Sequence, residues 1–235
     1  MTEPIQYRLE GKVAVITLDD GKANALSPEN LVALDAALDR AEAEAKALII
    51  AGRPGRFSAG FNLKIMLSGP EPARALLGQG AHVFRRLYGF PLPLVMACTG
   101  HALAGGCLVM LCGDLRIGIQ GPFKLGMNEV AIGMPLPVLA IELVRDRVGL
   151  EYLDQATLFA RIFSPDEALE AGMLTHVVAP EDLEKTAMEK AEALAGLDTA
   201  AYSQSKNRLR RATIKHVLDT LDTDLASFKM AFQGH

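Results

Sequence analysis

Two short turns of small residues are the parts of this sequence whose composition could serve chemistry. The first spans residues 58–61, Ser-Ala-Gly-Phe, and the second spans residues 102–106, Ala-Leu-Ala-Gly-Gly. Each follows a short apolar segment. Small residues let the main chain approach a ligand and leave backbone N–H groups free to donate. Two such donors aimed at one point form an oxyanion hole, which stabilises an ester or thioester oxygen as it gains negative charge.

An acid and an apolar segment accompany the second turn. Residues 107–112 are apolar, and if they form a helix, the turn lies at its positive N-terminal end. Glu129 stands among mostly apolar neighbours in residues 124–133. An acid in such surroundings has a raised pKa that suits proton transfer. From the local sequence alone, however, a surface or capping carboxylate is the favoured interpretation of Glu129.

The elements that must position these residues alternate between strands and helices up to about residue 180. Ser27 followed by Pro28 predicts a helix start, and alternating apolar residues predict strands. The predicted strands of this part include 5–9, 13–18, 47–51, 94–98 and 115–119, and the helices include 28–45 and 73–88. Beyond residue 180 the pattern is helical only. We predict an α/β fold with a core over residues 1–180 that carries the site and a helical region over residues 181–235 for assembly or capping.

The composition excludes several classes of function. The chain has 235 residues, half of them hydrophobic, which is enough for a sizeable core. Its net charge of −4 argues against sequence-independent binding of nucleic acid. No uncharged apolar run approaches membrane-spanning length. Three cysteines without a framework spacing or a histidine pair indicate reduced thiols, a cytoplasmic protein and no metal site.

Five segments, in their order and spacing, make the chain resemble the crotonase family of enoyl-CoA hydratases and isomerases. They are AGFNLK at 59–64, GHALAGG at 100–106, CGDLRIG at 112–118, NEVAIGMP at 128–135 and FSPDEALEAGMLTHVV at 163–178. The resemblance implies a spiral of β-β-α units followed by a C-terminal helical trimerisation region. It also implies a homotrimer or hexamer that takes an acyl-CoA substrate, and coenzyme A is then part of the substrate, with no separate cofactor.

The resemblance also implies which residues bind substrate. The main-chain N–H groups of Phe61 and Gly105 are expected to form the oxyanion hole. Backbone around Ala59 and Leu63 is expected to hold the adenine end of coenzyme A, with Lys22 as a further contact near the nucleotide.

A basic cluster in the tail is another candidate for coenzyme A binding. It contains Lys206, Arg208, Arg210, Arg211 and Lys215. We predict Lys206 as a contact to the coenzyme A phosphates. A solvated helix face, the usual role of such runs, is an equally good interpretation of the cluster.

The residues that flank the second turn favour one reaction over another. Family hydratases place two glutamates around a water, and here the first of these positions is Leu108 and the second is Glu129. One glutamate can move a proton between two carbons and so shift a double bond. We therefore favour an enoyl-CoA isomerase. A hydratase that uses Glu129, and an acyl-CoA binding protein without catalysis, are the alternatives that Leu108 keeps open.

Other polar residues near the turns are expected to be structural. His101, directly before the second turn, could touch substrate, but a satisfied structural histidine is the favoured interpretation. Cys107 beside the glycines lacks an evident base partner and is interpreted as a small core residue. Asp114 follows the apolar segment and could be catalytic, but the family carries an aspartate there without a chemical role, so the resemblance implies a buried cap or turn acid.

Overall fold

The computed structural model describes residues 3–227, which form two β-sheets and the helices around them. The strands are β1 (Ile5–Glu10), β2 (Val13–Leu18), β3 (Ala47–Gly52), β4 (Gly55–Ser58), β5 (Leu94–Cys98), β6 (Gly100–Leu103), β7 (Leu115–Ile119), β8 (Leu125–Gly126) and β9 (His176–Val178). The helices are α1 (Pro28–Glu44), α2 (Leu63–Met66), α3 (Pro70–Tyr88), α4 (Gly105–Leu111), α5 (Val138–Arg147), α6 (Leu153–Ala156), α7 (Pro165–Glu170), α8 (Leu183–Ala195) and α9 (Thr199–Ser227). Short 3-10 helices cover Val130–Ile132, Leu150–Tyr152 and Pro180–Asp182.

The strands divide between the sheets in a repeating way. The larger sheet has the order β1-β2-β3-β5-β7-β9, and the smaller has the order β4-β6-β8. Each consecutive pair β3/β4, β5/β6 and β7/β8 therefore gives one strand to each sheet. Apart from the antiparallel β1–β2 hairpin, the named strands of both sheets pair in parallel. This is the spiral of β-β-α units that the family resemblance implies.

Helices cover both faces of the larger sheet. Strand β3 buries consecutive residues, as expected for a parallel strand with both faces covered. One face packs against a core that includes α1, α3 and α4. On the other face, α8 contributes Leu183, Ala187 and Ala191. Helix α9 packs along α3 and α5.

The helical tail begins where the sequence predicts, although part of it lies outside the described residues. Helices α8 and α9 follow residue 180, and residues 228–235 are not among those described. The boundary between a core and an assembly region, and the homotrimer or hexamer, stay predictions. Among residues 3–227, no helix has the length and apolarity needed to cross a membrane.

Candidate active site

The fold brings the two small-residue turns into contact. Strands β4 and β6 are parallel neighbours, so the turns that follow them lie at the same edge of the smaller sheet. A Cβ atom on Gly60 would lie 2.9 Å from the backbone nitrogen of Gly105. One on Gly106 would lie 2.2 Å from the carbonyl oxygen of Ser58. The glycines are therefore required for the two main chains to approach this closely.

The backbone N–H of Phe61 is directed by a β-bridge to Leu26. The N–H of Leu26 donates to the carbonyl of Gly60 at 2.9 Å, and the N–H of Asn62 donates to the carbonyl of Leu26 at 3.1 Å. Successive peptide groups of an extended chain point to opposite sides. The N–H of Phe61 therefore points away from Leu26 and is left free by this bridge.

The backbone N–H of Gly105 lies at the start of α4. Gly105 is the first residue of that helix, so its N–H has no partner within the helix. The preceding Ala104 has φ 50° and ψ −128°, a conformation that alanine rarely adopts. Strain of this kind costs about 1–3 kcal/mol and is concentrated at functional turns. The carbonyl of Ala104 accepts from Cys107 and Leu108, which fixes the first turn of α4.

A hydrogen-bond network that the sequence analysis missed supports the first turn. The hydroxyl of Ser58 donates to the carbonyl of Asn24 at 2.7 Å and accepts from the N–H of Gly60 at 3.2 Å. The amide of Asn24 donates to the carbonyls of Leu18 and Phe57 at 2.7 and 3.1 Å. Asn24 has φ 52°, a left-handed conformation that asparagine tolerates well. The sequence carries no local signal for this network, because Asn24 and Ser58 lie 34 positions apart.

The carboxyl group of Glu129 is buried and only partly satisfied. Glu129 is 8% exposed, and its Oε2 atom has no hydrogen-bond partner within the described part of the chain. Burial raises the pKa of this carboxyl above its ordinary value. The Glu129 carbonyl accepts from the N–H groups of Ile132 and Met134, which anchors the loop that carries the acid. The carboxyl is thus held by its backbone and left open at one oxygen.

The segment that carries Glu129 lies beside the start of α4, where Cys107 is. Cys107 is fully buried. Burial, and next the charge of Glu129, raise the pKa of its thiol well above the ordinary value. Strand β8 pairs with β6 beside the second turn, and the N–H of Ala104 donates to the carbonyl of Gly126 at 2.9 Å. The segment that carries Glu129 therefore lies close to the turn that contains Gly105. The inert, buried thiol also agrees with the structural role predicted for Cys107.

A small apolar cavity lies behind the ring of Phe61. The ring packs against Phe84 with centroids 5.7 Å apart, and Gly80 on α3 leaves room for it. The cavity has a volume of about 30 Å³. Its wall is supplied by α3, α4, α5 and α9, and includes Leu108. Leu108, which stands at the first of the two positions where the resemblance would place a glutamate, therefore contributes an apolar side chain to this wall.

A second, open cleft adjoins the turns on their outer side and is basic. It has a volume of about 200 Å³. The residues that line it are Ala23, Arg56, Ala59, His101, Leu103 and Lys124. Burial, and then the charges of Arg56 and Lys124, lower the pKa of His101. The Nδ1 atom of His101 accepts from the N–H of Lys124 at 3.0 Å, which is the structural role that the sequence predicts.

Three of the predicted substrate contacts lie at or near the surface. Ala59 lines the basic cleft, and Leu63 is 62% exposed at the first residue of α2. Lys22 is exposed, and its carbonyl accepts from Arg53 at 2.9 Å. Arg56 and Lys124 are cations of this cleft that could not be identified from the sequence, because nothing local distinguishes them from surface charges.

The structure corrects the role expected of Lys206. Its ammonium is buried, donating to the carbonyl of Leu92 at 2.9 Å and to Asp114 at 2.6 Å. It is therefore occupied inside the fold and not offered to a ligand phosphate. Asp114 also accepts from Tyr202, Arg210 and the N–H of Leu94, which confirms its structural role.

The remaining members of the tail cluster face solvent. Arg208, Arg211 and Lys215 are exposed on α9. Lys215 is paired with Asp219 one turn further along the helix. For these three cations the geometry is that of a solvated helix face.

Comparison with known proteins gives a consistent set of relatives. A family model described as enoyl-CoA hydratase/isomerase matches residues 8–235. The chain is 31% identical to the human mitochondrial enoyl-CoA delta isomerase 1, over 92% of this chain and 73% of that protein. It is 32% identical to the short-chain-enoyl-CoA hydratase of Clostridium acetobutylicum, over 95% of this chain and 85% of that protein.

Solved structures agree with the sequence comparison. The human mitochondrial delta3-delta2-enoyl-CoA isomerase superposes with a TM-score of 0.94 at 28% identity, covering 99% of this chain and 93% of that one. An enoyl-CoA isomerase of Mycobacterium tuberculosis superposes with a TM-score of 0.91 at 38% identity, covering 97% and 99%. The relatives thus include both isomerases and a hydratase.

Proposed function

Because the chain belongs to the enoyl-CoA hydratase/isomerase family, we propose that it is an enoyl-CoA isomerase in which Glu129 alone moves the proton. The observation that carries this proposal is that Glu129 is a buried carboxyl with a free oxygen and that no second free carboxyl accompanies it at the Leu108 position. Leu108 stands at the other position where a hydratase has an acid. Asp224 on the cavity wall is already bonded to the N–H of Val138. A lone base suits double-bond migration better than activation of water.

The proposed reaction begins at the oxyanion hole. The N–H groups of Phe61 and Gly105 donate to the thioester oxygen of a 3-enoyl-CoA. Glu129 removes a proton from C2, and the C2–H electrons form a C1=C2 bond while the carbonyl π electrons move onto the thioester oxygen. The carbonyl then re-forms, the C1=C2 electrons become the C2=C3 bond, and the former C3=C4 electrons take the proton from Glu129 at C4. The negative charge of the intermediate lies mainly on the thioester oxygen. Loss of one oxyanion donor typically costs about 3–4 kcal/mol of transition-state stabilisation.

The raised pKa of Glu129 suits both halves of this step. Burial brings the pKa of the carboxyl closer to neutrality, so the carboxylate is a stronger base than an exposed glutamate. The protonated carboxyl can then give the proton back to C4. The free Oε2 atom leaves one position at which the substrate proton can be accepted.

We assign the coenzyme A moiety to the basic cleft outside the turns. Ala59 lies on its wall, and Arg56 and Lys124 supply cations for the phosphates. A local basic cleft of this kind lets an acidic protein hold a polyanionic ligand. Lys22 and Leu63, both exposed, remain proposed contacts at the same end of the substrate.

A product analysis tests the proposal. Purified protein is given trans-3- and trans-2-enoyl-CoA esters, and the products are separated by chromatography. We expect conversion of the trans-3 to the trans-2 ester, lost in Glu129→Gln and kept in Glu181→Gln, a matched change of an exposed acid. Formation of 3-hydroxyacyl-CoA from the trans-2 ester, lost in Glu129→Gln, would instead establish a hydratase. Tight binding of acyl-CoA without either reaction would establish a binding protein.

A further inference from the structure

Helix α9 forms one wall of the apolar cavity behind Phe61. Val217, Leu221 and Leu225 recur every four residues on one side of α9 and line the cavity, opposite Leu77 and Ala81 of α3. The two helices are in direct contact, because a Cβ atom on Gly78 would lie 3.6 Å from the Leu225 side chain.

The enclosed space is small compared with an acyl chain. Its volume of about 30 Å³ is only about two to three times the roughly 10–15 Å³ that a cavity needs to hold one water molecule. A chain of more than a few carbons must therefore displace α9 or the side chains that it contributes. The position of α9 sets how much of the acyl group fits.

One hydrogen bond ties α9 to the opposite wall. The Oδ2 atom of Asp224 accepts from the N–H of Val138 at 2.7 Å, across 86 residues of sequence. Val138 is the first residue of α5, and the preceding Pro137 has no side chain that can cap the helix. Asp224 therefore acts as a cap supplied by another helix, and its negative charge is favourable at a helix N-terminus.

The capped residue lies between two residues of the cavity wall. Pro137 and Leu139, on either side of Val138, both line the cavity. Among the residues that line it in the described chain, Asp224 is the only charged one. We infer that Asp224 determines the chain-length limit of the enzyme, by holding α9 against the start of α5 so that the cavity takes short acyl groups. This inference rests on the proposed acyl-CoA substrate.

The test compares Asp224→Ala with Asp224→Asn and with Asp222→Asn. Asn keeps an acceptor that can cap Val138, and Asp222 is an exposed acid on the same helix. We measure kcat/KM for 3-enoyl-CoA esters of about four to about twelve carbons. At chain lengths where kcat/KM of the wild type decreases, kcat/KM of Asp224→Ala should instead increase. The expected increase is about fourfold per added methylene, which corresponds to the free energy of burying one more CH₂. Asp224→Asn and Asp222→Asn should follow the wild type.

Two results would overturn the inference. One is an equal loss at every chain length in Asp224→Ala. The other is a loss of activity in Asp224→Asn as large as that in Glu129→Gln, which would make Asp224 a proton-transfer group. If Asp224→Ala fails to fold, Asp224→Ser, whose shorter side chain lacks the reach to Val138, replaces it with the same expectation.

Failure of the proposed function would be recognised separately. In that case the wild type turns over none of the esters. Calorimetric binding of saturated acyl-CoA esters of the same lengths then tests the limit without catalysis. Longer chains should bind more tightly to Asp224→Ala than to the wild type, and identical length profiles would reject the role of Asp224.

Discussion

Two buried carboxylates lie at opposite ends of α4 and are built for different tasks. Asp114 follows the C-terminal end of the helix, and Glu129 lies near its first turn. Both lie in low-dielectric surroundings that disfavour a negative charge. They differ in what the fold supplies to compensate that charge.

Asp114 is surrounded by donors. One oxygen accepts from Lys206, Tyr202 and the N–H of Leu94, and the other accepts from Arg210. Burial acts to raise the pKa of Asp114, but Lys206 and Arg210 outweigh it, so the pKa lies below its ordinary value. The cations also offset the negative end of the α4 dipole, where a carboxylate is otherwise unfavourable.

Glu129 has no such shell. Burial raises the pKa of its carboxyl, and one oxygen has no partner among the described residues. A buried acid with every oxygen engaged stabilises one conformation of the fold. A buried acid with a free oxygen retains the capacity to take up a proton, and this is the property that catalysis needs.

The largest expected effect comes from removing the free acid. Glu129→Gln should lower the turnover of a 3-enoyl-CoA by about 10²–10⁴-fold, since the amide cannot accept the proton. The free energy of unfolding should not fall, because Glu129 makes no ion pair in the described chain. Steady-state kinetics and urea unfolding of the same preparation measure both. Activity within tenfold of the wild type would remove Glu129 from the proposed role.

The opposite outcome is expected for the paired acid. Asp114→Asn leaves Lys206 and Arg210 buried without a counter-charge, which should lower the free energy of unfolding by about 3–5 kcal/mol. Turnover per folded molecule should stay unchanged, because Asp114 is bonded within the fold. Urea unfolding measures the free energy of unfolding, with Asp222→Asn as an exposed control. Active-site titration of the folded fraction measures the turnover per folded molecule. A stable but inactive Asp114→Asn would break the comparison.

The sequence predicts the strands and the two turns better than the contacts that surround the two acids. Apolar segments and small-residue turns are local features, so the strands and the two turns could be predicted from them. Gly60 and Gly106 are required because the two turns contact each other, and this contact is not visible in the local sequence. The strained conformation of Ala104 belongs to the same contact. The family resemblance, not the spacing, suggested that Asp114 is structural.

The misplaced lysine shows where local patterns fail. Lys206 and Arg210 lie one turn apart on α9, but helical spacing does not show which face of a charged helix is buried. Buried cations are rare without a partner, and here the partner, Asp114, lies 92 residues earlier. The Asn24–Ser58 network and the Asp224 cap also join residues far apart in sequence, by 34 and 86 positions, so neither has a local signal.

A smaller change separates the contribution of Tyr202 to the Asp114 network from that of the two cations. Tyr202→Phe removes one of its donors and leaves Lys206, Arg210 and the N–H of Leu94 in place. We expect the free energy of unfolding to fall by about 1.5 kcal/mol, the low end for one hydrogen bond to a charged group, and turnover to be unaffected. The measurement is again urea unfolding. A loss as large as that of Asp114→Asn would mean that Tyr202, and not the cations, keeps the aspartate in place.

The smallest expected effect is the pH dependence of the free energy of unfolding, and it distinguishes Asp114 from Glu129 most directly. The pKa of Asp114 is lower in the fold than its ordinary 3.8, so its contribution to stability is present above that value and is lost as the pH falls through the folded pKa. The pKa of Glu129 is higher in the fold than its ordinary 4.5, so its contribution is present below 4.5 and is lost as the pH rises through the folded pKa.

The two acids should therefore give variants with opposite pH profiles. Relative to the wild type, Glu129→Gln should gain stability as the pH rises above 4.5, because the wild type must then hold an unpaired buried charge. Relative to the wild type, Asp114→Asn should recover stability as the pH falls below 3.8, because the wild-type aspartate is then protonated too. Urea unfolding of all three proteins across this pH range measures the differences. If Glu129→Gln is less stable than the wild type at neutral pH, the Glu129 carboxylate has a compensating partner and the contrast between the two ends of α4 does not hold.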